Sequence, residues 1–182
     1  QGYSTSYDAS QPEIVEGPIS AVNGQKEKYS NTFFIVRSEY NYDWLYPQDD
    51  NLWNSGTEEN PVKTEYDPCP EGWRVPTYAE LDRLSNNYSS FMTVGNQKGY
   101  YFCGDYTYLD NAPQVFFPAA GYRDGSDGGT GSRGYGGYYW SSRPHNTHAH
   151  YLLFRSNDVL LGNFSSSLDA RALGSSVRCV QE

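Results

Sequence analysis

The hydrophobic residues of this chain fall mostly in short runs of β-branched and aromatic residues, separated by polar and glycine-rich segments. The run at residues 31–37 contains Phe, Phe, Ile and Val between polar neighbours and predicts a strand. Runs of the same kind predict further strands at 99–103, 115–117, 137–141, 149–154, 159–161 and 177–180.

One segment has the spacing of an amphipathic helix. Leu81 and Leu84 are three residues apart, which places both side chains on one helix face. Thr77 precedes this segment and Glu80 occupies the third helical position, so the pair can form a capping box. The pattern predicts a helix over 78–87 and an α+β fold class.

The length of 182 residues favours one domain. Residues 1–30 are polar and are expected to form a tail with one or two short strands, and 31–182 form the domain. The irregular segment 38–67 is rich in aromatic residues and is expected to pack as a lid on the core. The glycine-rich segment 122–137 is expected to be a surface loop.

Charge and hydropathy exclude two classes of partner. The formal net charge is −9 and no basic run occurs, which argues against nucleic acid as a partner. No apolar run reaches the roughly 18 to 20 residues that a membrane-spanning helix needs, which argues against direct membrane insertion.

The chain has three cysteines. Cys69 lies just before the predicted helix and Cys179 lies in the last predicted strand, and we take these two as a disulfide that ties the end of the chain to the helix entry. Cys103 would then be a buried free thiol. The alternative is three reduced, buried thiols.

Five ordered sequence blocks resemble the major paralogous domain family first named from Fibrobacter and common in surface proteins of Bacteroidales. The resemblance covers residues 31–182 and implies a C-type lectin-like fold, with one or two helices beside a twisted, mostly antiparallel sheet and long loops. The disulfide fits that topology. The first block is the pair YDW at 42–44 and LWN at 52–54. The other four are DPCPEGWRVPT at 67–77, FFPAAGYR at 116–123, YWSS at 139–142 and SVRCV at 176–180.

The segment from residue 138 onward also resembles the variable region of C-type lectin-like proteins that are diversified by retroelements. YWSS at 139–142, LLF at 152–154 and the closing SVR at 176–178 carry this second resemblance. It implies a fixed sheet that displays variable positions to a ligand.

Alternation along the strand at 149–154 separates positions that face the core from positions that face outward. Leu152 and Phe154 are expected to point into the core, so their neighbours point outward. Tyr and Arg are frequent anchors of binding surfaces. A loop that covers the outward leucine is the alternative. The expected ligand-binding residues, on this face and in the turn before it, are Arg143, His145, His148, Tyr151, Leu153 and Arg155. The 122–137 loop is expected to edge this binding face.

Alanine at both Tyr151 and Arg155 is expected to abolish ligand capture and to leave thermal unfolding nearly unchanged. Trp73 and Trp140 are expected to be core residues. Arg74, Arg171 and Arg178 are expected to make structural ion pairs or to bind carbonyl groups.

No cofactor is expected. The three histidines lack the spacing and the neighbouring carboxylate of a metal site. Acidic residues at 47–50 and 124–127 offer oxygen ligands that calcium can use, but the tripeptides with which calcium-dependent lectins read sugars do not occur. Neither a nucleophile elbow nor a phosphate-binding loop is present, so no catalytic residue is assigned.

The sequence therefore predicts an extracellular, non-enzymatic ligand-binding or adhesion module on a bacterial surface, at the tip of a fimbria or on a lipoprotein. Its partner would be a surface protein or glycan of a host or a bacterium, together with fimbrial subunits. The alternatives are a diversified receptor-binding protein, a structural pilus subunit and a carbohydrate-active or thiol-dependent enzyme.

Overall fold

A computed structural model describes residues 13–19, 33–37, 42–85, 89–103, 114–156 and 167–182. This part of the chain contains one short helix, α1 (Tyr78–Ser85), and a set of short strands. The strands are β1 (Glu13–Glu16), β2 (Phe33–Val36), β3 (Trp73–Arg74), β4 (Ser89–Val94), β5 (Gln97–Cys103), β6 (Gln114–Pro118), β7 (Tyr122–Arg123), β8 (Thr130–Gly131), β9 (Gly136–His145), β10 (His148–Arg155), β11 (Ser167–Ala170) and β12 (Val180–Gln181).

The described strands form several small sheets. Two of them have three strands, in the orders β4-β5-β6 and β11-β10-β9, and all their pairings are antiparallel. β3 pairs with β12 and β7 with β8, also antiparallel. β1 and β2 form a parallel pair. The mostly antiparallel pairing is confirmed, and the small sheets with one short helix are consistent with a mostly-β or an α+β class.

The main core lies between the β4-β5-β6 sheet, helix α1 and one face of the β9-β10 hairpin. Leu81 is buried against this core and Leu84 packs at its edge, as the helical spacing predicts. The other buried members come from the strands, apart from Ala119 just after β6, and are mainly aromatic: Tyr100, Phe102, Phe117, Ala119, Tyr139, Leu152 and Phe154. With Leu152 and Phe154 in this cluster, the alternation predicted for β10 is confirmed.

The opposite face of the same hairpin is also covered, which sequence analysis did not anticipate. Tyr138, Trp140 and Tyr151 form a second buried cluster with Leu173. Leu153 packs against it, as do side chains from distant segments such as Trp53 and Val177. The outward face of β10 is therefore an interior surface over much of its length.

The disulfide between Cys69 and Cys179 is confirmed. Their Cα atoms lie 5.9 Å apart, and the bond joins positions separated by 110 residues. Asp67, beside the bond, is buried and accepts backbone hydrogen bonds from Cys69 at 2.7 Å and from Val75 at 2.9 Å. Lys63 completes this junction with an ion pair to Asp67 at 3.1 Å.

The capping box is confirmed as well. The backbone N–H of Thr77 donates to the Glu80 carboxylate at 2.8 Å, and the N–H of Glu80 donates to the Thr77 hydroxyl at 3.3 Å. Arg74 binds the same carboxylate through two hydrogen bonds, at 2.7 and 2.6 Å. These bonds lower the pKa of Glu80, first through Arg74.

Two predictions about individual residues have different outcomes. Trp140 is buried as expected, but Trp73 is 43% exposed, so its assignment to the core was wrong. Trp73 belongs to the short β3–β12 pair that lies beside the disulfide, where only one side of the ribbon is covered. Arg74 makes the predicted ion pair.

Several element boundaries also differ from the predicted ones. The predicted strand at 177–180 is reduced to Val180–Gln181, and β4, β7, β8 and β11 were not predicted. The predicted helix end and the predicted strand at 159–161 involve residues outside the described part of the chain.

The glycine-rich segment is more ordered than a surface loop. It contains the β7–β8 pair, and Gly125 and Gly128 in its turn are buried. Gly128 has a φ of +73°, and a Cβ there would lie 2.4 Å from the Ile14 side chain. Glycine is needed here because the turn packs closely against β1.

The aromatic lid is confirmed for residues 42–67. Trp44 and Leu45 are buried with Ile35 of β2 and Ala172, and Leu52 packs against them. In the described part of the chain, no helix has the length and apolar character needed to cross a membrane.

Candidate ligand-binding site

The aromatic cluster on the second face of β9 and β10 forms the floor of a cleft. Tyr138 of β9 and Tyr151 of β10 stack, with ring centres 5.8 Å apart and planes at 16°. Tyr122 of β7 meets Tyr138 edge to face at 4.8 Å. Trp140 supports Tyr151 in the same way at 5.6 Å. These contacts fix the orientation of each ring.

The hairpin has an irregularity beside His150. The pairing register of β9 with β10 shifts between Ala149 and Tyr151, so that residues 141–143 of β9 stand opposite His150 alone. The extra residues lie in β9, because β10 pairs with β11 in an unbroken register from His148 to Tyr151. His148 and Tyr151 both line the cavity described below.

Segments from elsewhere in the chain form the walls of the cleft. The ring of Tyr42, from the lid, stacks on His148 at 5.2 Å. The guanidinium of Arg37, just after β2, lies 4.8 Å from the centre of the Tyr42 ring. The backbone N–H of Arg37 donates to the Gly125 carbonyl at 2.6 Å, which attaches the β7–β8 turn to the same wall.

The resulting cavity, which we name the tyrosine cleft, has a volume of about 260 Å³. Its aromatic lining is Tyr42, Tyr122, Tyr138 and Tyr151. Its charged and titratable lining is Arg37, Asp124, His148, Arg155 and Asp169. Gly125, Ala170 and Leu173 complete the lining.

The charged groups of the tyrosine cleft provide both donors and acceptors. Arg155 donates to the Tyr138 hydroxyl at 3.4 Å. Asp124 accepts hydrogen bonds from the hydroxyl and the backbone N–H of Ser126. These bonds, with the positive charge of Arg37, lower the pKa of Asp124. Asp124 is therefore an ionised acceptor at neutral pH.

Arg171 holds the lid against the hairpin that carries His148. Its guanidinium donates to the carbonyls of His148 at 3.1 Å and Asn146 at 2.6 Å. It also pairs with Asp50 and, at 3.5 Å, with Asp43. Burial raises the pKa of Asp43, against the opposing effect of Arg171. The prediction that Arg171 makes structural ion pairs is confirmed.

The six residues expected to bind a ligand do not form one surface. His148, Tyr151 and Arg155 line the tyrosine cleft. Leu153 is partly buried in the cluster beneath it, so the alternative in which this leucine is covered is the one observed. Tyr151 is only 8% exposed, so the expectation that its replacement by alanine would leave stability nearly unchanged conflicts with the structure.

Arg143 and His145 lie together at a separate location, near the start of α1. The Arg143 guanidinium is 5.3 Å from the centre of the Tyr78 ring. His145 meets His150 edge to face at 5.7 Å, and His150 packs on Tyr78 at 4.9 Å. His150 is 7% exposed, and burial, followed by the charges of Arg143 and His145, lowers its pKa.

The described residues contain no group of three or more His, Cys, Asp or Glu side chains placed to hold a metal ion. In the two segments considered for calcium, the carboxylates are engaged by the protein itself. Asp50 binds Gln48 and Arg171, and Asp127 accepts the Gly129 N–H at 2.7 Å.

Sequence reasoning missed Arg37, Tyr42 and Asp169, which other segments bring to the tyrosine cleft. No spacing pattern relates these residues to β10. Tyr122 and Asp124 belong to the 122–137 segment, which was expected to edge the binding face. The one available signal was the composition, since 18 of the 182 residues are tyrosine.

Comparisons of the chain with models of protein families, with curated protein sequences and with solved structures gave no significant match.

Proposed function

We propose that this chain is an extracellular, non-enzymatic ligand-binding and adhesion module with a C-type lectin-like fold, displayed on a bacterial surface. The observation that carries the proposal is the tyrosine cleft, an open cavity of about 260 Å³ lined by four tyrosines and five charged or titratable groups. Its partner is a glycan or protein of a host or bacterial surface.

The cleft is built on a support that suits binding. The β9-β10 hairpin packs on the main core with one face, and its other face is fixed by ring contacts among Tyr138, Trp140 and Tyr151. Side chains that are already ordered lose little conformational entropy when a ligand binds. The affinity of the site then comes mainly from contacts with the ligand.

The ionisation state of Asp124 does not suit general acid catalysis. A general acid needs a carboxyl group whose pKa is raised toward the working pH. The pKa of Asp124 is instead lowered by its bonds to Ser126 and by the charge of Arg37. Asp124 therefore serves as a permanent hydrogen-bond acceptor.

The surface location is supported by the disulfide between Cys69 and Cys179. Disulfides form and persist in oxidising compartments, which include the bacterial periplasm and the cell surface. The resemblance of residues 31–182 to surface proteins of Bacteroidales supports the same location. A position at a fimbrial tip or on a lipoprotein is part of the proposal.

Binding to glycan and protein arrays tests the proposal, with Arg155→Ala compared with Arg143→Ala. Arg155 lines the cleft, and Arg143 is an exposed arginine at the separate site near α1. We expect the wild-type domain to capture a surface glycan or protein, Arg155→Ala to lose at least tenfold in affinity, and Arg143→Ala to bind like wild type.

Thermal unfolding of both variants serves as the control for folding. Equal loss of binding in the two variants would contradict a role for the cleft. No capture of any glycan, protein or cell surface by the wild-type domain would contradict the function itself.

A further inference from the structure

We propose that the tyrosine cleft binds one neutral, polyhydroxylated sugar ring, such as the terminal residue of a surface glycan, without a metal ion. This inference rests on the proposed function and specifies its ligand. It follows from the size of the cleft, the mixture of donors and acceptors in its lining, and the arrangement of its rings.

The volume of the cleft limits the bound part of the ligand to about one ring. Pockets that enclose drug-sized ligands measure about 300–1,000 Å³. At about 260 Å³ the tyrosine cleft lies below that range. A single ring fits such a site, and the rest of a glycan chain would extend into solvent.

The polar lining selects for groups that both donate and accept hydrogen bonds. Arg37 and Arg155 carry only donors, whereas Asp124 and Asp169 carry only acceptors when ionised. An anionic ligand would be repelled by both carboxylates, and a cationic ligand by both guanidinium groups. A hydroxyl group can satisfy either kind of partner, and a sugar presents several of them around one ring.

An apolar ligand would fit poorly for a related reason. It would remove these charged groups from water and offer no hydrogen bond in return, which is unfavourable for charged side chains. Tyr42, which is 43% exposed, nevertheless provides apolar ring surface. The lining therefore matches a molecule with apolar C–H faces and a polar rim, which describes a pyranose.

Tyr42 provides this surface, since the residue is 43% exposed and its ring stacks on His148. The Tyr138 and Tyr151 rings are stacked on each other and almost fully buried, so they fix the floor of the cleft. The Tyr138 hydroxyl accepts a hydrogen bond from Arg155 at 3.4 Å, so a planar donor group lies at this floor. A guanidinium can donate two parallel bonds, which suits adjacent hydroxyl groups.

Ligand-detected NMR with single sugars tests the proposal. The neutral panel comprises the methyl glycosides of glucose, galactose, mannose, fucose and N-acetylglucosamine. The comparison compounds are methyl glucuronide, the methyl glycoside of N-acetylneuraminic acid and benzyl alcohol. We expect at least one neutral glycoside to bind, with a Kd on the order of 1 mM, and to bind more tightly than every comparison compound. The same affinity is expected in EDTA.

Substitution of one acceptor provides the second measurement. Asp169→Asn preserves the shape of a cleft residue and removes its charge, and we expect it to weaken binding of the neutral glycoside about tenfold. Asp127→Asn is the matched control, since Asp127 is an exposed carboxylate in the β7–β8 turn. It should leave the affinity unchanged.

The outcomes separate this inference from the proposed function. If the domain captures a surface protein on the arrays but no neutral glycoside binds, the sugar inference is overturned and the adhesion function stands. Tighter binding of an acidic sugar, loss of binding in EDTA, or equal affinities of the Asp169→Asn and Asp127→Asn variants would also overturn it. If no partner is captured at all, both proposals fail.

Discussion

Three histidines within six residues of one hairpin have three different surroundings. His145 is exposed, His148 stacks on Tyr42 at the tyrosine cleft, and His150 is buried between Tyr78 and His145. The Nδ1 atom of His150 has no hydrogen-bond partner among the described residues. A buried imidazole without a partner at this atom is unfavourable to protonate, so protonation of His150 opposes folding.

The first prediction is that stability falls in mild acid because of His150. Burial lowers its pKa below the ordinary value of 6.5, so the unfolded chain binds the proton more tightly than the folded protein. Its contribution to stability is complete above about pH 6.5 and is lost as the pH falls through the folded pKa. Melting temperatures measured between about pH 7.5 and pH 5 should fall less in His150→Phe than in wild type.

A second variant tests the cause of the shift. After burial, the charge of Arg143 is the next largest cause of the lowered pKa of His150. Arg143→Met should reduce the dependence of the melting temperature on pH, but by less than His150→Phe does. Identical pH profiles for wild type and His150→Phe would show that another group is responsible.

At the scale of elements, helix α1 depends on its first turn. The helix has eight residues, fewer than an isolated helix needs to be stable in water. Its start is fixed by the reciprocal bonds of Thr77 and Glu80 and by the two bonds from Arg74. Leu81 then anchors the helix in the main core.

The second prediction concerns this cap. Thr77→Ala removes the hydroxyl that accepts the Glu80 N–H and should reduce the free energy of unfolding by about 1 kcal/mol more than Thr77→Ser does. Both variants lose the γ-methyl group, so their difference isolates the hydroxyl. Urea unfolding measures it, and equal losses would show that the cap contributes little.

Features set by neighbouring residues could be predicted from sequence. The capping box, the inward direction of Leu152 and Phe154 and the ion pair of Arg74 each depend on a few adjacent positions or on strand alternation. The second cluster could not be predicted in this way. Its covering residues, such as Trp53 and Leu173, come from irregular segments whose path is set by tertiary packing.

In the candidate site, too, the local features could be predicted and the long-range ones could not. The aromatic side of β10 and Arg155 were identified from sequence, because strand alternation is a local property. The register shift near His150 was not identified, since it depends on backbone contacts of β9 with a different segment. There the Ser142 N–H donates to the Pro76 carbonyl at 2.8 Å, and the Ser141 hydroxyl donates to the His150 carbonyl at 2.8 Å.

At the scale of the whole molecule, two long-range connections hold the irregular segments in place. The disulfide joins Cys69 at the helix entry to Cys179 near the end of the described chain. Arg171 joins the lid to the β9-β10 turn through ion pairs and carbonyl contacts. Small sheets that share little hydrogen bonding with one another are thereby kept in a fixed arrangement.

The third prediction is that loss of the disulfide destabilises the entire fold. The bond closes a loop of 110 residues, for which chain entropy gives a stabilisation of up to about 4–5 kcal/mol. The double variant Cys69→Ala, Cys179→Ala should lose about 2–5 kcal/mol of unfolding free energy in urea titrations. Adding a reductant should destabilise wild type and leave the double variant unchanged.

Alkylation of the wild-type protein in urea without reductant checks the bond directly. Peptides that contain Cys69 or Cys179 should remain unmodified until a reductant is added. Modification of both before reduction would show that the bond does not form in solution.

Strand β10 contributes to both the main core and the tyrosine cleft. Leu152 and Phe154 lie in the core, and Tyr151 and Arg155 line the cleft. Substituting a side chain on the cleft side changes which ligand the protein binds and leaves the core side unchanged. Removing a single residue from the strand would reverse the two sides along the rest of its length, because strand alternation has a period of two. New specificities are therefore accessible to this hairpin by replacement, whereas insertions and deletions within it would damage recognition and folding together.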